Sequence, residues 1–238
     1  MTILFEELAH SKSPFGDLSL RRRHELRLNT DVYEIKLGDD FLMTSLFHKS
    51  EDALADLGLQ KLKSDKLNVV IGGLGLGYTA ATALKNPKIH DLIVIEILPA
   101  VIKWHRADII PMNNHIKLDK RCRFVEGDFF SLVQSKDGFD PDNANRRFHA
   151  ILVDIDHSPN QWLASTNSFF YRKKGLSAIT QHLLPGGVFG LWSNDAPDTT
   201  FTERLALAVG KADARAITFE NPLTGTTVTQ TVYIATAP

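Results

Sequence analysis

Five short apolar runs, Asn68–Ile71, Leu92–Ile95, Cys122–Val125, Ala150–Val153 and Val188–Trp192, recur along the chain from Leu67 onward. Four of them are rich in β-branched residues and nearly continuous, the pattern of strands covered on both faces in a parallel sheet. The segments between them, Tyr78–Leu84, Pro99–Arg106 and Arg172–Leu184, have helical spacing, and Leu184-Pro185-Gly186-Gly187 reads as a helix stop. Strand–helix alternation predicts an α/β fold with a doubly wound, mostly parallel, seven-stranded Rossmann-like sheet. The rhythm breaks at the end, where Ala214–Glu220 and Val228–Ala235 flank Asn221-Pro222-Leu223-Thr224-Gly225 and predict an antiparallel hairpin.

Residues 1–66 read differently. Asp31–Phe47 holds two β-rich runs around Gly38-Asp39-Asp40, with Val32, Glu34 and Lys36 on one face and Tyr33, Ile35 and Leu37 on the other. Ser50 reads as the cap of a helix over about Glu51–Lys61, with Glu51 and Asp52 suiting its positive end. The polar stretch Lys63–Lys66 marks a boundary between an N-terminal hairpin and helix region (1–66) and a nucleotide-fold domain (67–238). Ser135–Arg147 reads as a solvated loop, and Arg21-Arg22-Arg23-His24 as a solvated face.

The chemistry is expected where strands end. Val69–Gly72 enters Gly73-Leu74-Gly75-Leu76-Gly77, and a small-residue helix leaves it. Glycines at 73, 75 and 77 let the backbone turn sharply and approach a ligand. The spacing is G-x-G-x-G rather than the dinucleotide G-x-G-x-x-G, and no Walker Lys-Ser/Thr follows. Glu96 ends the next strand, where a carboxylate can accept both hydroxyls of a ribose, and Ile97 can pack on a base. Gly127-Asp128-Phe129 follows the third strand, with Asp128 able to accept from an adenine amine. After the fourth stand Asp154, Asp156 and His157, candidate proton acceptors for a reaction, and Trp192-Ser193-Asn194-Asp195 after the fifth can wall the same pocket.

With 27 Lys+Arg against 28 Asp+Glu, global charge gives no attraction to nucleic acid or to an anionic membrane. No apolar run reaches the roughly 20 residues that span a bilayer. MTILFEELAHSKSPF lacks the basic start and apolar run of a secretory leader. One cysteine, Cys122, makes neither an intrachain disulfide nor a Cys-based zinc cage, and His48, His105, His115 and His182 lack metal-ligand spacing. No metal and a cytoplasmic location are therefore expected.

Gly72–Tyr78, Glu96, the Glu126-Gly127-Asp128 step and the Asp154 strand end together resemble the class I S-adenosylmethionine-dependent methyltransferase superfamily. More narrowly, the order of motifs is similar to spermidine synthases and their relatives. The resemblance adds the hairpin before the glycine loop, Phe169-Phe170-Tyr171 and Leu184–Gly187, and covers about residues 30–195. It implies that Glu96 holds the ribose, Asp128 the adenine amine, and that Asp154 is the proton-accepting aspartate. It also implies S-adenosylmethionine or its decarboxylated form as cofactor, a small and possibly amine-bearing acceptor, and a homodimer.

The sequence departs from that family at several points. The aspartate of its G-G-G-D-G loop falls on Gly75, and the second aspartate of D-S-S-D falls on His157, with Asp156 displaced by one position. The Tyr-His-Glu of the polyamine channel finds only the Asp52-Ala53-Leu54 region, and the hairpin Gln falls on Met43. Losing a carboxylate opposite an ammonium costs about 1.5–3 kcal/mol of binding. The sequence reading therefore favours a methyltransferase on a small or amine-bearing acceptor. An aminopropyltransferase and a non-catalytic cofactor-binding interaction module are the alternatives.

Overall fold

A computed structural model describes residues 4–238, so the first three residues of the stretch read for a leader lie outside it. Among the described residues the strands form two sheets. The first is an antiparallel meander of β1 (Phe5–Ser13), β2 (Gly16–Glu25), β3 (Thr30–Leu37) and β4 (Asp40–Thr44), in that order. The helix α1 (Lys49–Leu59) then leads to the second sheet. This sheet comprises β5 (Leu67–Gly72), β6 (Ile89–Glu96), β7 (Cys122–Glu126), β8 (Phe148–Val153), β9 (Leu183–Ser193), β10 (Lys211–Glu220) and β11 (Thr227–Thr236).

The order across it is β10-β11-β9-β8-β5-β6-β7. Strands β9, β8, β5, β6 and β7 are parallel, and the β10–β11 hairpin closes the β9 edge in antiparallel register. The fold is thus α/β with a doubly wound, mostly parallel seven-stranded Rossmann-like sheet. Val70, Ile71, Ile93, Val94, Ile151 and Leu152 are fully buried, as continuous β-branched and aliphatic runs require when helices cover both faces. Helices α2 (Tyr78–Leu84), α3 (Pro99–Arg106), α4 (Phe129–Gln134), α5 (Lys173–Ala178) and α6 (Thr199–Ala208) connect the strands. No helix among the described residues is long and apolar enough to cross a membrane.

Local readings fail where a tertiary partner overrides a local signal. Ser50 is not the helix cap: α1 begins at Lys49 after His48, and Ser50 is a buried helical residue. Leu184–Gly187 is not only a stop, because β9 runs through it from Leu183 to Ser193. The register jump between Phe148/Leu183 and Ala150/Val188 absorbs its extra residues, with Gly186 at φ 72°. Ser135–Arg147 is a loop but not a solvated one throughout. Phe139 is buried, and Asp140 accepts from both Arg123 and Arg146 at 2.6 Å.

Arg21-Arg22-Arg23-His24 lies within β2 rather than on a free solvated face. Arg22 meets Glu6 at 3.1 Å, Arg23 meets Glu34 at 2.8 Å and Glu25 at 2.6 Å, and His24 meets Asp31 at 2.8 Å. Acids on β1 and β3 therefore neutralise the run.

Candidate functional site

The parallel strands deliver their carboxyl ends to one edge, and β3, β4 and α1 lean over that edge. Between them lies a cavity of about 180 Å³. Its floor is Gly73–Gly75 after β5, Glu96–Leu98 after β6, Gly127–Phe130 after β7, Asp154 and Ile155 after β8, and Trp192 on β9. Its roof is Ile35 and Leu37 from β3, Leu42 and Met43 from β4, and Phe15 from the β1–β2 turn. Ligands of open α/β sheets bind at this edge because the helix N-termini and loops converge there.

Each glycine of the loop has a steric reason to be there. Gly73 sits at φ 95°, and a Cβ on it would strike the backbone carbonyl of Asp154. Gly75 sits at φ 47°, and its Cβ would meet Met43 Sδ at 2.7 Å. Gly77 caps α2 at φ 86° against Ile116 and His105, behind the cavity rather than in it. The loop is therefore shaped as much by protein packing as by space for a ligand. His105 braces it from behind, with Nε2 at 2.8 Å from the Gly75 carbonyl. Burial pushes the pKa of His105 down, so the ring is neutral and Nε2–H is the donor.

Glu96 is only 7% exposed, yet it faces the cavity. Its Oε2 accepts from Leu74 N–H at 3.0 Å and its Oε1 from Leu98 N–H at 2.8 Å. Burial pushes its pKa up, while these backbone donors work the other way. Each oxygen keeps a lone pair for a further donor. Ile97 is 39% exposed at the rim. Asp128 caps α4, accepting from Phe130 N–H at 3.0 Å and Ser131 Oγ at 2.5 Å, and also lines the cavity. Phe129 reaches the cavity wall with a buried ring that packs on Gly72 and Phe139.

Asp154 accepts from Thr79 Oγ1 at 2.9 Å, and burial pushes its pKa up to about 6. His157 lines the cavity beside it. Asp156 does not face the cavity. Its carboxylate accepts from Leu163 N–H at 2.7 Å, Asn167 Nδ2 at 3.0 Å and Tyr171 OH at 2.9 Å, so it ties the His157–Asn167 loop to the residues before α5. The structure thus gathers Gly73, Gly75, Glu96, Ile97, Asp128, Phe129, Asp154 and His157 around one cavity, and leaves out Gly77 and Asp156.

Sequence reasoning missed one acid there. Glu51, assigned from sequence to the helix dipole, is 7% exposed and lines the cavity, whereas Asp52 turns to His48 at 2.9 Å and Thr82 at 2.6 Å. Burial and the nearby Asp154 charge push the Glu51 pKa up to about 7. The adjacent acids in the first turn were the signal, but only the docking of α1 selects between them. The cavity therefore presents Glu51, Glu96, Asp128 and Asp154, and none of the described residues lining it is Lys or Arg.

Two solved structures share this architecture across nearly the whole chain. A spermidine synthase in complex with the transition state analogue AdoDATO superposes with a TM-score of 0.68 at 16% identity, over 98% of this chain and 74% of the other. A spermidine synthase from Thermotoga maritima gives 0.66 at 16% identity, over 97% and 72%. The fold is that of a spermidine synthase. It is a spermidine synthase-like form of the class I S-adenosylmethionine-dependent methyltransferase fold. A polyamine aminopropyltransferase of Sulfolobus acidocaldarius is 28% identical over 112 residues, which is 45% of this chain. The match spans about a third (34%) of that curated relative's length. No family model matches the chain. What the spermidine synthase fold fixes here is the edge at which its acids converge.

Proposed function

We propose that this chain transfers an aminopropyl group from decarboxylated S-adenosylmethionine to a small amine acceptor. The observation that carries this reading is the charge of the cavity: among the described residues four carboxyl groups line it, with no lysine or arginine. Such a lining suits ammonium groups on both ligands. The methionine carboxylate of intact S-adenosylmethionine would instead meet acids without a basic partner. The preference for methyl transfer drawn from the sequence is therefore given up, and the named relatives point the same way.

The residues fit the nucleoside half. Glu96 has free lone pairs for ribose hydroxyls, Asp128 an acceptor edge for an exocyclic amine, and Ile97 an exposed apolar surface for a base. A sulfonium bound there supplies an electrophilic carbon and leaves as a neutral thioether. Asp154, with a pKa of about 6, is ionised at neutral pH and takes the proton from the acceptor nitrogen, which frees its lone pair. Glu51 faces the same nitrogen from the other wall, and the Ile35, Leu37, Leu42 and Met43 roof keeps water away from it.

Calorimetry with decarboxylated S-adenosylmethionine, S-adenosylmethionine and methylthioadenosine tests the reading, with Glu96→Ala as the control. The decarboxylated ligand is expected to bind at least tenfold more tightly than S-adenosylmethionine. A preference for S-adenosylmethionine overturns the proposal. That result would favour methyl transfer, for which Met43 over Gly75 is the specific observation, since no loop carboxylate fits there. If Asp154→Asn leaves turnover of a diamine panel unchanged, the assignment of the base is wrong.

A further inference from the structure

Glu51 begins a hydrogen-bond chain that runs away from the cavity. Its Oε2 lies 2.6 Å from Ser50 Oγ. The same Oγ lies 2.6 Å from Gln230 Oε1 and 2.8 Å from Trp192 Nε1. Gln230 Nε2 donates to Asn194 Oδ1 at 2.8 Å, and Asn194 N–H donates to the His157 carbonyl at 2.7 Å. Three elements remote in sequence, α1, β9 and β11, thus meet at one serine hydroxyl.

That hydroxyl has a single hydrogen. The Trp192 indole can only donate, so it occupies a lone pair of Ser50 Oγ. Two acceptor oxygens at 2.6 Å are left to share the hydrogen. With Glu51 ionised, one of them faces a lone pair at hydrogen-bond distance, which is repulsive. With Glu51 protonated, every contact has a donor. Glu51 then donates to Ser50, Ser50 to Gln230, and Gln230 to Asn194. Ionising Glu51 without repulsion requires the Gln230 amide to turn over, and that of Asn194 with it.

We propose that Gln230 and Trp192, by committing the Ser50 hydroxyl, hold Glu51 as a neutral acid until a cation enters the cavity, and that an entering ammonium drives its proton off. The second clause rests on the function proposed above; the first stands without it. The surroundings agree with the hydrogen-bond count. Asp154 faces Glu51 from the end of β8 and Asp52 lies on its own helix, while α2 brings the hydroxyls of Tyr78 and Thr79. Hydrogen bonds from the Ser50 hydroxyl and the Glu51 backbone work the other way, as does the charge of His48, which is paired to Asp52.

Carbon-13 NMR of glutamate side-chain carboxyl carbons in the unliganded protein tests the first clause, with the Glu51 signal assigned by its loss in Glu51→Gln. Its midpoint is expected near pH 7. Two variants separate this chain from mere burial by the sign of their effects. Gln230→Leu removes the acceptor that the protonated state needs, and lowers the midpoint by about one pH unit, a tenfold change in proton affinity. Ser50→Ala removes the donor that the ionised state needs, and raises it. An acid perturbed by burial alone moves upward in both, since each variant adds apolar surface. A parent midpoint in the ordinary range near 4.5, or the same sign in both variants, overturns the proposal.

Proton release is read by titrating the methylthioadenosine-saturated protein with 1,4-diaminobutane in two buffers of different ionisation enthalpy. About half a proton per diamine is expected at pH 7, and close to none at pH 8.5. Binding without buffer dependence at pH 7 overturns the second clause. Failure of the diamine to bind counts against the proposed function, and the carboxyl titration still decides the charge state.

Discussion

Replacing Glu51 by Gln is expected to stabilise the protein, increasingly as pH rises from about 5 to 8. The amide keeps the shape of the neutral acid and can donate to Ser50 Oγ as that acid does. It cannot acquire a charge beside Asp154. In the unfolded chain the Glu51 carboxyl titrates near 4.5, and in the folded protein at about 7. The folded value is the higher one, so the parent's stability from this group is whole below about pH 4.5 and is lost as pH rises through 7. The gap corresponds to about 3 kcal/mol once the group is ionised in both states.

The variant escapes that loss. Its stability relative to the parent should therefore climb between pH 5 and pH 8 by about 2.5 kcal/mol. For a chain of this length that is roughly 5 °C or more in melting temperature. Melts of both proteins at pH 5, 6, 7 and 8 measure the difference, in which contributions from groups that do not interact with Glu51 cancel. A difference that stays flat with pH, or a variant less stable at pH 8, refutes the argument that Glu51 is a strained buried acid.

Asp128→Ala should lose about 1 kcal/mol of stability with the α4 cap, whereas Asp128→Ser should stay within a few tenths; both should bind methylthioadenosine about tenfold more weakly by calorimetry. Asp156→Ala strands three donors and should cost about 3 kcal/mol in urea unfolding, with faster hydrogen exchange at the Leu163 amide. Gly73→Ala drives a Cβ into the Asp154 carbonyl at φ 95° and should cost more than 3 kcal/mol. Gly186→Ala, at φ 72° in open space, should cost about 1 kcal/mol by the same melts.

The parallel strands were legible because each is a dense apolar run between helical segments, and burial on both faces demands that composition. The first hairpin was not. Phe5–Ser13 and Gly16–Glu25 carry polar and basic residues at most positions, and they are held by cross-strand ion pairs that composition does not signal. Helix α4 is only six residues and opens with two aromatics, which makes it resemble a strand. At the site, acids at strand ends could be read because the fold type sends every strand end to one edge. Glu51 could not be, since a first-turn acid on a surface helix has the same sequence as one docked against a neighbouring carboxylate. Asp156 shows the converse, an acid two positions from Asp154 in the loop after β8, whose carboxylate is drawn away from the cavity by the Leu163, Asn167 and Tyr171 donors.

The cavity is assembled from two stretches of chain with separate duties. Glu96 and Asp128 stand on loops whose backbone N–H groups they also hold, so drift at either position disturbs the turn itself. Ile35, Leu37, Leu42 and Met43 stand on the two strands of a hairpin, where exchanging one apolar side chain for another leaves the ladder intact. Descendants of such a chain can therefore change the width and polarity of the roof while inheriting the floor unaltered. Under the function proposed here, acceptor preference is the trait free to diverge, and the nucleoside half the trait under constraint.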